Sequence, residues 1–265
     1  MNTGLLRARF QASAHSEWIK FRSLRSGPAA LLATAAVVLL GAWLVSSGYR
    51  DGWARMAPGD KASFDPVYTG LRGIELAQLF VGALGVMTVT GEYTSGLIRG
   101  TFIATPQRVL VLAMKAVIFA SVVWAWCTAV SFTAFLISQG FLTGPVPHVV
   151  LGDRGVPTAV AGGGLYLALV GLLGLFIGVL VRRTPAALAV LFGILLVAPV
   201  AAGMLPGRIG ARVAEVLPGA AGEEIWKFRH DGQYDMGPWA GLGLLAAYVA
   251  VTAAAALILA RKRDA

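Results

Sequence analysis

Five stretches of this chain run for 20 or more residues without a charged side chain: 28–47, 116–138, 159–181, 186–205 and 239–260. A sixth, Ile74–Thr90, carries one acid, Glu75, at its second position. A helix needs about 20 mostly apolar residues to cross the hydrocarbon of a bilayer. Each run therefore reads as a membrane-spanning helix, and Pro199 is expected to kink the fifth. Charged residues make up 13% of the chain, about half the share in soluble domains, which argues against a soluble globular fold. The first run begins only near residue 28 and exceeds the apolar core of a signal peptide, about 7–15 residues. It is expected to be retained as a span.

The cations then orient the spans. The segments 1–27, 91–115, 182–185 and 261–265 fall on one side of the membrane and hold 13 Lys and Arg against three acids. The segments 48–73, 139–158 and 206–238 fall on the other and hold nine against nine. Orientation follows Lys and Arg near helix ends, which puts the 13-cation side, and both termini, in the cytoplasm. The net charge of +9 thus reports membrane orientation. No basic cluster is interleaved with aromatics in the manner of a nucleic-acid surface. The expected fold is an all-α integral membrane protein with a leader at 1–27, a six-helix domain at 28–260 and a basic tail at 261–265.

Several chemistries lack their residues. The single cysteine, Cys127, allows neither an intrachain disulfide nor a cysteine-built metal site. His15, His148 and His230 all lie outside the spans, so membrane haem ligation is not expected. Gly162–Gly164 lack the Lys-Ser/Thr of a phosphate-binding loop. No cofactor and no catalytic site are expected in this chain, and the chain is read as not an enzyme. A proton-coupled transporter would be expected to bury carboxylates or histidines in its spans. Here Glu75 sits near the outer interface and Lys115 can snorkel to the inner one. Gln78, Thr88, Thr128, Ser131 and Thr133 read as helix-packing residues, as do Gly82, Gly85, Gly171, Gly174 and Gly178. That packing could be within one subunit or between two.

Three polar segments invite a role. In residues 5–26, Leu6, Phe10, Ala14, Trp18 and Phe21 form a helical apolar stripe, with Arg7, Gln11, His15, Lys20 and Arg22 largely off it. That pattern suits a helix lying in the membrane interface, either a link to a cytoplasmic partner or a plain anchor. In Gly91–Lys115, Thr90 could cap a short helix starting at Glu92, broken by Gly96 and Gly100, with Pro106 opening a new element and Arg108 and Lys115 preceding the third span. It suits a contact with a cytoplasmic motor, or is merely a long loop. Residues 206–238 alternate acids and bases around Trp226 and Phe228. They read as a solvated outer connector, with a gate or release cap as the alternative.

Four motifs in order resemble a known family. They are His-Ser-Glu-Trp-Ile-Lys-Phe-Arg-Ser at 15–23, the loop Gly91-Glu92-Tyr93 with Gly96, Ile98-Arg99, Thr101-Phe102 and Pro106-x-Arg108, the run Leu217–Gly222, and the basic end from Arg261. Together they resemble the membrane subunit of a type-2 ABC exporter, the ABC permease family of many bacteria. The resemblance implies a permease working as a homo- or heterodimer in the bacterial plasma membrane, with no nucleic-acid partner. It implies a separate ATP-binding-cassette subunit docked beneath, which binds ATP and Mg. Gly91, Glu92, Tyr93, Gly96, Arg99, Pro106 and Arg108 would form the coupling helix. Phe10, Glu17, Trp18, Lys20, Phe21 and Arg22 would belong to the connecting interfacial helix. No substrate motif accompanies these, and the residues of the substrate path stay unassigned. The competing readings are a stand-alone secondary transporter or channel, and a non-transporting membrane scaffold.

Overall fold

The computed structural model describes residues 26–94, 108–228 and 236–262. The N-terminal stripe with Phe10, Glu17, Trp18, Lys20, Phe21 and Arg22 lies outside the described residues, as do Gly96, Arg99 and Pro106. Among the described residues every regular element is helical. The long ones are α1 (Ser26–Gly52), α4 (Ile74–Thr94), α5 (Arg108–Phe141), α6 (Val156–Val181), α7–α8 (Thr184–Phe192 and Ala198–Gly203, joined by a π turn at Gly193–Val197) and α11 (Pro238–Lys262). Short helices fill the connections: α2 (Pro58–Ala62), α3 (Pro66–Leu71), α9 (Gly207–Val216) and α10 (Pro218–Glu223). All six expected runs are helices long and apolar enough to cross a membrane. The chain is a multi-pass membrane protein.

Helix α6 is the hub. Of its most apolar window 72% is buried, against 22% in α1, in α7–α8 and in α11. Helices α4 and α5 pack on it directly. Association inside a membrane depends on close backbone approach at small residues, and the glycines of α6 supply it. A methyl group on Gly174 would run into the Gly82 carbonyl oxygen of α4, and one on Gly85 would run into the Gly171 carbonyl oxygen. Gly164 faces the backbone of Thr128 on α5 in the same way. The small-residue pattern therefore serves packing within this chain.

Departures from the expected boundaries have local causes. Pro199 lacks an N–H and its ring crowds the carbonyl four residues back. That residue, Leu195, lies inside the π turn Gly193–Val197, so the fifth span absorbs its proline by widening one turn. The third span begins at Arg108, two turns before Lys115. Helix α4 continues through Glu92 to Thr94, so Thr90 does not cap a new helix. Its hydroxyl donates instead to the Val86 carbonyl, 3.0 Å away.

The connector from residue 206 is not solvated throughout. Its first part, α9, is largely exposed, but Pro218, Gly219, Ala221, Gly222, Glu224, Ile225 and Trp226 are buried. The run Pro-Gly-Ala-Ala-Gly is small enough to wedge between α6 and α11. A Cβ on Gly222 would meet the Tyr166 ring at 2.6 Å, and one on Gly241 would collide with the Ala221 carbonyl. Trp226, 1% exposed, then packs edge-on against Tyr166 with ring centroids 4.4 Å apart.

Candidate functional site

Two polar centres occupy opposite ends of α4. Glu75 and Glu92 are 17 residues apart in one helix, which separates them by about 26 Å along its axis at about 1.5 Å per residue.

At the Glu92 end three chain segments are tied together. Glu92 accepts a hydrogen bond from the Lys115 ammonium of α5 at 2.7 Å, with both side chains at most 10% exposed. Burying two charges is costly, and attraction repays it only with close geometry. Two residues earlier in α4, the Thr90 hydroxyl accepts from the Thr184 hydroxyl at the start of α7 at 2.8 Å. The Arg182 guanidinium lies 5.2 Å from the centre of the Tyr93 ring, a cation–π distance. Arg182 reaches that position because it ends α6 in a left-handed conformation, φ 60°, with its N–H bonded to the Gly178 carbonyl. Non-glycine residues adopt that conformation uncommonly. It lets α6 stop and turn into α7 within two residues.

Of the residues expected to couple to an ATPase, Gly91, Glu92 and Tyr93 form the last turns of α4, and Arg108 opens α5. Glu92 and Tyr93 join this hub. Lys115 is 5% exposed and paired, so it does not snorkel to the interface. Sequence reasoning missed Arg182, Thr184 and the role of Lys115. Glu92 and Lys115 are an acid and a base on either side of the segment 95–107, and that was the available signal.

At the Glu75 end, α3 and the wedge 218–228 meet the start of α4. Asp65 caps α3, its Oδ1 accepting from the Val67 and Tyr68 N–H groups at 2.9 Å each. Its Oδ2 accepts from the Phe228 N–H at 2.7 Å, so one carboxylate both starts α3 and holds the end of the wedge. The Tyr68 hydroxyl lies 2.7 Å from Glu75 Oε1 and 2.7 Å from Glu223 Oε1. Burial, with those two carboxylates beside it, pushes the phenol well above its usual range. Burial also raises the Glu223 carboxyl above its ordinary value, reinforced by Glu75 and Glu224 and opposed by the Tyr68 hydrogen bond and the Lys227 charge. Deeper in, the Tyr166 hydroxyl donates to Gln78 Oε1, and Gln78 Nε2 donates to the Glu75 carbonyl at 2.8 Å. Lys227 pairs with the buried Glu224 at 2.6 Å. Gln78 thus belongs to a polar network as well as to the helix packing.

No protein-family model matches the chain, and a search of curated proteins finds no match.

Proposed function

We propose that this chain is the membrane-spanning permease subunit of an ATP-binding-cassette exporter, driven by a separate ATPase subunit. The observation that carries the reading is the hub at the Glu92 end. Glu92 and Tyr93 stand at one edge of the segment 95–107, and Lys115 lies two turns beyond the other. Through Lys115, Thr184 and Arg182 that edge is fastened to α5, α6 and α7. A push on the segment between α4 and α5 would move the ends of four spans together. Such a lever suits energy delivered by a partner that switches between two states.

In this reading the Glu92 face is cytoplasmic, in keeping with the Lys and Arg bias. Segment 91–108 is the coupling element, with Gly91, Glu92, Tyr93, Gly96, Arg99, Pro106 and Arg108, and residues 5–26 are the connecting segment. The protein works as a dimer in a bacterial plasma membrane, and ATP and Mg are bound by the partner. The test is co-expression with an ATPase encoded beside this chain, followed by capture in detergent. Arg99→Glu is expected to reduce capture at least tenfold with the six-helix fold intact. Unchanged capture would remove Arg99 from the contact. Arg99 is a better probe than Glu92, whose reversal would also place two cations together in a buried site.

A stand-alone transporter driven by an ion gradient is the second reading. The carboxylates Glu75 and Glu223 around one hydroxyl favour it, but they lie at a helix end rather than at mid-membrane. It predicts gradient-driven transport by this chain without any ATPase.

A further inference from the structure

The contact between Tyr68, Glu75 and Glu223 sets a proton count. A phenol hydroxyl carries one hydrogen, yet it stands 2.7 Å from an oxygen of each of two carboxyl groups. With both carboxyls ionised, one of those contacts sets an anionic oxygen against a phenol lone pair. Two hydrogen bonds need two protons among the three groups, so one carboxyl must be protonated and donate to the Tyr68 oxygen.

The surroundings decide which carboxyl holds that proton. Glu75 is 37% exposed at its side chain and has the Arg72 guanidinium 3.7 Å away. Arg72 also lies 5.8 Å from the centre of the Tyr68 ring. Glu223 is partly buried, with Glu224 beside it on the wedge. Lys227 is the nearest cation on the wedge, and its ammonium is engaged by Glu224 at 2.6 Å. Asp65, from the start of α3, adds another anion to this end. Helix α6 contributes the Tyr166 hydroxyl, which is bonded to Gln78. These surroundings favour the proton on Glu223, which then donates to Tyr68 while Tyr68 donates to Glu75, with Arg72 facing Glu75.

This chain of bonds joins residues 155 apart in sequence, and so fastens the wedge to the start of α4. We propose that Tyr68, Glu75 and Glu223 form a proton-operated latch. With two protons among the three groups it seats the segment Pro218–Trp226 between α6 and α11, and losing one loosens that segment. The latch does not depend on whether an ATPase drives the protein. Its sign follows from linkage. Glu223 binds its proton more tightly when seated than when released to water, because burial raises it above the ordinary 4.5. The seated state therefore holds more protons. Release becomes easier as pH rises from the ordinary carboxylate value toward the raised one, and the effect saturates above it.

The test is hydrogen–deuterium exchange of the full chain in lipid nanodiscs from about pH 5 to about pH 9, with rates corrected for the intrinsic pH dependence of amide exchange. One proton released on opening lowers protection by at most about tenfold per pH unit. The amides of residues 219–228 are expected to lose protection with rising pH, while those of α6 stay level. Glu223→Gln and Glu75→Gln each replace a carboxyl with an amide that donates at every pH. Glu223→Gln is expected to hold the segment protected with no pH slope, whereas Glu75→Gln keeps the buried Glu223 carboxyl and is expected to hold the segment more tightly at high pH with a reduced slope. A flat wild-type profile overturns the proposal. So does a slope that survives undiminished in Glu223→Gln. Thermal unfolding of each variant establishes that it is folded, and the wild-type profile stands as a test without them.

Discussion

Removing one partner of the Glu92–Lys115 pair should be among the most damaging polar substitutions in this chain. The ammonium and the carboxylate meet at 2.7 Å, and the side chains are 5% and 10% exposed. Neither charge can recover its hydration without moving helices. Deleting one partner of such a buried pair costs about 3–5 kcal/mol, because the remaining charge stays desolvated. That range is about 100-fold to several thousand-fold in the unfolding equilibrium. Both residues also have further interactions, so a single substitution does not isolate the pair, and a double-mutant cycle is required. Glu92→Gln and Lys115→Met are expected to cost about 3–5 kcal/mol each, and the double variant clearly less than their sum. The coupling energy should reach about 2–3 kcal/mol, the upper part of the range for residues in direct contact. The assay is denaturant unfolding in mixed micelles, followed by loss of helicity. Additive costs, or a single-variant cost below about 1 kcal/mol, would refute the claim that this pair holds α4 to α5.

Three further outcomes follow from the packing and are read in the same unfolding assay. Gly174→Ala puts a methyl group against the Gly82 carbonyl and should cost about 1–3 kcal/mol by forcing α4 from α6; a neutral result would contradict the close contact. Trp226→Ala should cost about 3–5 kcal/mol as an emptied aromatic site and expose the wedge to exchange, whereas a solvated connector would lose almost nothing. Tyr166→Phe keeps the ring but leaves the buried Gln78 carbonyl oxygen without the hydroxyl that bonds it, a loss of about 1–3 kcal/mol.

The spans were legible because a bilayer imposes one blunt requirement, a long run without charge, and that requirement can be read one residue at a time. Their ends were not. A charge-free window stops the third span after Lys115, yet the helix runs two turns further back because Glu92, 23 residues earlier, neutralises that cation. The wedge was misread for a related reason. Alternating Glu and Lys look solvated in a linear reading, while the burial of Glu224 and Trp226 depends on α6 and α11 accepting them. The run Pro218–Gly222, unusually small for an exposed connector, was the clue. At the Glu92 end, Glu92 and Tyr93 were singled out in the sequence as coupling residues, while the contacts of Lys115 with Glu92, Arg182 with Tyr93 and Thr184 with Thr90 required the fold.

In the proposed function a separate ATPase docks on the Glu92 face of this protein and drives it, and vesicle flotation measures that docking. The chain is reconstituted into vesicles, a candidate ATPase is added, and the vesicles are floated through a density gradient. The account predicts that the ATPase floats with vesicles carrying this chain and stays below with empty ones. If every ATPase encoded beside the chain stays below in both cases, the account is contradicted.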